Sequence, residues 1–230
     1  MRTASVMVRF LAGMALLASA QAARAQDKVR INVILPLTGN AAFLGQGQQK
    51  TLQMVQTLVN KEGGIQGKPL EFVFSDDQSS PQVTLQHANT ILPSKPSVIL
   101  GSSLVGMCNA IAPLMRQGPV EYCLSPGVYP PAGSFVFSTS VSTKSLLETA
   151  LRFFRLKGWT KIATITSGDA TGQDADRNIG EVLALPENAG LKLVEKQHFT
   201  PGDVSVAAQI ERIKQAEPQA VIAWTSGAPV

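Results

Sequence analysis

The sequence predicts an α/β protein of two lobes, each a parallel sheet covered by helices, with the second lobe incomplete. Two observations carry that expectation. Short apolar runs alternate with helix-period segments from residue 29 to residue 224, and the alternation restarts after a Ser/Thr-rich passage at 138–142. The first lobe is expected over 27–140 and the partial second lobe over 141–230.

The elements follow in order. Residues 29–35 form a Val/Ile/Leu strand that runs into Pro36-Leu37-Thr38-Gly39, a turn that opens a helix expected over 47–61, where Leu52, Val55, Leu58 and Val59 share one face. Gly63 to Pro69 is a turn. A strand over 70–75 precedes a helix over 81–92 with Pro81 in its first turn. The apolar segment 97–101 is a strand, 108–117 a helix and 120–124 a strand. After the Pro/Gly-rich stretch 125–133, residues 135–138 make a short strand. The second series is helix 144–157, strand 161–166, helix 174–185, strand 192–198, helix 204–216 and strand 220–224. Asp76-Asp77 could form a metal or general-base pair, but at a strand end before Ser79-Ser80-Pro81 they are expected instead to cap the next helix. Because the second lobe has three strands and its last lies near the carboxyl terminus with no covering helix, a truncated chain is expected.

Ahead of the first strand, Arg2 and Arg9 precede an uncharged apolar run from residue 10 to residue 20, and Ala23-Arg24-Ala25 is a small-x-small cleavage site. Ala18-Ser19-Ala20 is a second such site. The run falls short of the roughly 20 apolar residues that span a bilayer. Residues 1–25 are therefore expected to be a cleaved export signal, with a periplasmic destination. They hold three of the 20 basic residues and none of the 16 acidic ones, which leaves 17 against 16, a net +1. Near-neutral charge without a Lys/Arg cluster argues against nucleic acid, whose phosphates require a basic face. With 44% hydrophobic residues the chain can bury a core.

Cys108 and Cys123 enter an oxidising compartment if the signal acts. They stand at one predicted sheet edge, and two readings stay open: a disulfide, or two small buried hydrophobes. Catalytic patterns are absent. His87 and His198 are the only histidines, and neither a Gly-x-Ser-x-Gly elbow nor a His-Glu-x-x-His helix occurs. Gly45-Gln46-Gly47-Gln48-Gln49-Lys50 matches a dinucleotide fingerprint for four positions and then places Lys where Gly belongs. The 63–69 glycine turn is one residue short of a phosphate loop. An enzyme is disfavoured, and no cofactor or metal is implied.

Four blocks carry a resemblance: Pro36-Leu37-Thr38-Gly39 with Gly45; Asn60-Lys61-Glu62-Gly63-Gly64-Ile65-Gln66-Gly67-Lys68-Pro69-Leu70; Asp76-Asp77-Gln78-Ser79-Ser80-Pro81; and Gly101-Ser102-Ser103 with Leu124-Ser125-Pro126. In this order they resemble the type I periplasmic solute-binding proteins of the leucine/isoleucine/valine-binding branch, which deliver ligands to ABC transporters. The resemblance implies two Rossmann-like lobes closing as a clamshell over a small amino acid or carboxylate. It implies a permease in the inner membrane as partner. A ligand-sensing subunit uses the same clamshell, and a secreted hydrolase is the rival from another class.

Matched by position, the ligand-carboxylate groups fall on Leu104 and Val105, preceded by Ser102 and Ser103, and on Gly127 and Tyr129. The family's serine is missing at its usual place, so either Ser103 substitutes or backbone N–H groups act alone. Ser102 and Ser103 are equally residues that cap a helix, and Tyr129 is equally a surface-loop aromatic. The ligand-covering aromatic of the second lobe falls on Thr171. The resemblance places the partner of a ligand ammonium beyond Val230.

Overall fold

Valine, isoleucine and leucine dominate the segments that become strands, and the strands separate into two parallel sheets. The computed structural model describes residues 28–227, so the export signal expected over 1–25 lies outside the described residues. The first sheet contains β1 (Val29–Leu35), β2 (Leu70–Asp76), β3 (Val98–Leu100), β4 (Val120–Cys123) and β5 (Val136–Ser138) in the order β2-β1-β3-β4-β5. The second contains β6 (Lys161–Ser167), β7 (Lys192–Phe199) and β8 (Ala220–Trp224) in the order β7-β6-β8. Pairing is parallel between β1 and β3, between β3 and β4, between β4 and β5, and between β6 and both its neighbours. Parallel pairing demands crossovers. The helices are α1 (Ala42–Lys61), α2 (Pro81–Ile91), α3 (Val105–Ile111), α4 (Thr143–Leu156), α5 (Ala170–Leu183) and α6 (Ala207–Gln215); α4 links the two sheets, the others are crossovers, and residues 124–135 carry β4 to β5 without an α-helix.

Contacts divide the described chain into two units. The smaller joins 28–30 to 54–71 and the larger joins 31–53 to 72–227; β1, β2 and α1 contribute one end to each. In the smaller unit Glu71 pairs with Lys28 at 2.9 Å and Arg30 at 2.7 Å. The Asn60 side chain brackets Leu70, donating to its carbonyl and accepting from its N–H. Gly64 has φ +79°, and a Cβ there would strike the Lys68 carbonyl, so only glycine fits that turn.

In the larger unit Ile34, Ile99, Cys108, Ile111, Cys123 and Val136 form the core of the first sheet. Leu147, Leu151, Ile162, Ile179, Val182 and Ile222 form that of the second. Each such aliphatic side chain contributes about 1.5–3 kcal/mol on burial. Cys108 and Cys123 are joined as a disulfide, with Cα atoms 6.0 Å apart, tying α3 to β4.

Three helices start earlier than the periodicity indicates: α1 at Ala42, α3 at Val105 and α5 at Ala170. The first and last carry glycines that disguise them in sequence. A Cβ on Gly45 would collide with the Pro36 carbonyl, and one on Gly172 with the Ser167 carbonyl. Glycine here lets a helix press onto the end of its preceding strand, at the usual cost in helix propensity. By contrast α6 starts at Ala207, three residues later than expected.

The capping role expected of Asp76 and Asp77 is corrected. Ser80 caps α2, accepting from the Val83 N–H, with Pro81 beginning the helix. Asp76 instead accepts from Leu37 N–H, Thr38 N–H, the Thr38 hydroxyl and Gln78 N–H. It thereby fastens the Pro36–Gly39 turn to the end of β2. Burial opposes its ionisation, but these donors prevail and hold its pKa below the ordinary carboxylate value.

Candidate functional site

Strand ends in open parallel sheets leave loops that gather at one edge, where ligands bind. In the larger unit the loops after β1, β2, β3, β6 and β7 enclose a cavity of about 330 Å³. Asn40, Ser79, Leu104, Met107, Asp169 and Thr171 are among its walls. The first sheet therefore supplies an amide, a hydroxyl and two apolar side chains. The second supplies a hydroxyl and a carboxylate.

The polar members are already oriented by their neighbours. The Ser79 hydroxyl donates to the Thr38 carbonyl at 3.1 Å and accepts from Ala41 N–H at 3.1 Å. Asp169 caps α5, accepting from Thr171 N–H, Gly172 N–H and the Ser167 hydroxyl. Leu104, in extended conformation, precedes α3 with no side-chain cap, and Gly106 and Met107 of its first turn line the cavity. An uncapped helical turn beside apolar walls suits a small solute with one polar end.

Among the residues matched in sequence, Leu104 and Thr171 meet at this cavity. Ser102 is fully buried. Its carbonyl oxygen lies 3.2 Å from Sγ of Cys108, which the disulfide leaves with no hydrogen to donate, and its hydroxyl favours the Asp77 carboxylate without reaching hydrogen-bond geometry. Burial outweighs this help and raises the Asp77 pKa. Ser103 donates to Gln48 Oε1, away from the cavity walls. Val105 packs on Gly127: a Cβ at 127 would lie 2.6 Å from Val105 Cγ2. Tyr129 is half exposed, and its hydroxyl reaches Asp174 of α5 at 3.4 Å. It also borders a second cavity of about 630 Å³, walled by Met115, Val128 and Phe135 and rimmed by Arg116.

Local pattern carries no signal for Asn40, Met107 or Asp169 as wall residues, because each follows a different strand: β1, β3 and β6. Asp174 and Asn178 were legible only as an i, i+4 pair on one helix face. Histidine partners were also missed. His198 Nε2 lies 2.7 Å from Asp176 Oδ2, whose carboxylate also takes Lys196 at 3.2 Å and the Thr166 hydroxyl at 3.0 Å. His87 Nε2 contacts the Asp76 carbonyl at 2.9 Å. Among the described residues neither ring hydrogen bonds to a serine or cysteine side chain.

Comparison with known proteins follows this geometry. The chain is 24% identical over 209 residues to a Leu/Ile/Val-binding protein homolog of Brucella melitensis, covering 87% of this chain and 55% of that protein. It is 24% identical over 229 residues to the leucine-, isoleucine-, valine-, threonine- and alanine-binding protein of Pseudomonas aeruginosa, covering 93% and 58% respectively. The chain thus spans little more than half the length of these relatives. Among solved structures, an ABC-transporter solute-binding protein from Rhodopseudomonas palustris in complex with benzoate superposes with a TM-score of 0.72. Its sequence identity is 21%, covering 87% of this chain and 56% of that one. A type 1 periplasmic binding protein from Bordetella pertussis gives 0.72 at 22% identity, covering 86% and 55%. These likenesses establish the shared fold. The model of the family described as periplasmic binding protein matches residues 28–230, and the chain belongs to that family.

Proposed function

We propose that this chain is the solute-binding component of an ABC importer, exported to the periplasm, holding a small amino acid or an aromatic or aliphatic carboxylate between two lobes, 27–140 and 141–230, without catalysis. The observation that carries this reading is the cavity of about 330 Å³ at the carboxyl ends of strands from both sheets, where Leu104 and Thr171 face the same space. Its size lies at the small end of the range that ligand sites occupy. Ser102, Ser103, Val105, Gly127 and Tyr129 then support the walls from behind or beside them. The permease is the macromolecular partner, recognising the closed form.

Support for the ligand class comes from the relatives: the named ligands are branched-chain and small amino acids in one group and benzoate or 3,4-dihydroxybenzoic acid in another. Calorimetric titration with L-leucine, L-valine, L-alanine and benzoate tests the proposal. Saturable binding of one solute, weakened at least tenfold by a Thr171→Trp substitution that fills the cavity, is expected. Unchanged binding in that variant would move the site elsewhere, and no binding of any of the four would remove the proposed ligand class.

A further inference from the structure

The loop after β4 meets helix α5 through a group of side chains that the cavity does not use. Asp174 is 2% exposed, a carboxylate almost wholly removed from water. Its Oδ1 accepts from Arg177 at 2.6 Å and from Asn178 Nδ2 at 3.1 Å, while its Oδ2 accepts from the Tyr129 hydroxyl at 3.4 Å. Asn178 Nδ2 in turn donates to the Tyr129 oxygen at 3.2 Å. The tyrosine therefore gives its proton to the carboxylate and takes one from the amide, which satisfies both capacities of a phenol. Directly beside it, Gly127 backs onto the same carboxylate: a Cβ there would stand 2.7 Å from Asp174 Oδ2 and 2.6 Å from Val105 Cγ2.

From this we infer that Gly127 and Tyr129 are positioning residues, and that Asp174 is the clasp on which the loop of the first sheet closes against α5. This rests on the solute-binding reading and adds to it a residue-level closing device. Arg177 and Asn178 sit three and four residues after Asp174 on the same helix, so they stay with the carboxylate when the loop leaves. At this point opening exchanges the two tyrosine hydrogen bonds and the glycine contact for water. A buried charge that retains its own partners in both states costs little to uncover, and a closing element needs that near-balance to be reversible. Tyr129 thus acts on affinity through closure and not by touching solute. The glycine has a separate duty: it is the space that allows the carboxylate to approach.

Small-angle scattering of the ligand-free chain is the primary test. Gly127→Ala should enlarge the radius of gyration relative to wild type. Gly180→Ala is the control on α5, because its Cβ would meet no heavy atom within 4 Å. It should leave the scattering unchanged. Should Gly127→Ala fail to fold, a double-mutant cycle of Tyr129→Phe and Asp174→Asn in urea should show non-additivity of about fivefold in the unfolding constant. Thermal shift titrations with L-leucine and with benzoate separate the two claims. Tyr129→Phe should weaken whichever solute binds wild type by about fivefold, and both solutes alike if both bind. If neither solute binds wild type, the functional reading loses its support while the clasp is decided by scattering and the cycle. Identical radii for Gly127→Ala and wild type, or additive effects in the cycle, would overturn the clasp.

Discussion

Glu121 is the least comfortable residue in the first sheet, and its removal should change how stability depends on pH. It lies on β4 opposite Ile99 and Val136 in register, fully buried, and neither carboxylate oxygen has a hydrogen-bond partner. Oε1 presses on Gly101, where a Cβ would be 3.1 Å away. Burial pushes its pKa from 4.5 up to about 8. Between those values the folded chain keeps a proton that the unfolded chain has released, so stability declines as pH rises. The contribution is fully present below the unfolded value and is lost as pH climbs through the folded one. A separation of 3.5 units at 1.36 kcal/mol each corresponds to about 5 kcal/mol once both forms are ionised, and about 2.5 kcal/mol of that falls between pH 5 and pH 7. For a chain of this length that loss amounts to about 5–10 °C in melting temperature. Glu121→Gln keeps the shape and cannot ionise, so its melting temperature should vary less between pH 5 and pH 8, and at pH 8 it should exceed wild type. Glu121→Leu, which also removes the unsatisfied polar atoms, should be more stable than wild type at pH 7. Urea denaturation of the three proteins at four pH values is the assay. Parallel stability-against-pH curves for wild type and Glu121→Gln would refute the reasoning, because they would mean that the native carboxylate ionises freely.

Asp176 works in the opposite direction. Burial opposes its charge, but His198, Lys196 and Thr166 overcome this and hold its pKa low, so its stabilisation is present above the unfolded value and lost as pH falls through the folded one. Asp176→Asn should therefore be less stable than wild type at pH 7, with the gap closing on acidification below about pH 4, as followed by circular dichroism. Asp76→Ala removes the acceptor for four donors and should cost about 1–3 kcal/mol in urea denaturation, with faster amide exchange at Leu37 and Thr38. Cys108→Ser with Cys123→Ser opens a loop with a sequence separation of 15 and should lower stability by about 3 kcal/mol; equal denaturation midpoints would show that the crosslink contributes nothing.

Much of this protein was legible from local pattern. Buried parallel strands are short apolar runs and their crossover helices have a 3.6-residue period, so element order, parallel pairing and the break between residues 138 and 161 follow from chain chemistry alone. The family motifs also belong to that class, since Pro36-Leu37-Thr38-Gly39 and the 60–70 block are turns whose residues are dictated by their own backbone. What the sequence could not show was contact between segments far apart in the chain. Gly45 and Gly172 read as breaks in helices because glycine disfavours helix locally, whereas packing against a strand end requires it there. Asp76 read as a helix cap because its partners at 37 and 38 lie 39 and 38 residues away. Nothing local marks Glu121, inside the strand expected over 120–124, as a buried carboxyl, and only the assembled sheet buries it. Asp174 meets Tyr129 across 45 residues, and Leu104 meets Thr171 around a cavity built from five loops. Local energetics choose strand, helix and turn residue by residue, but a site is defined by which loops reach the same sheet edge, and that is settled only when the sheets have formed.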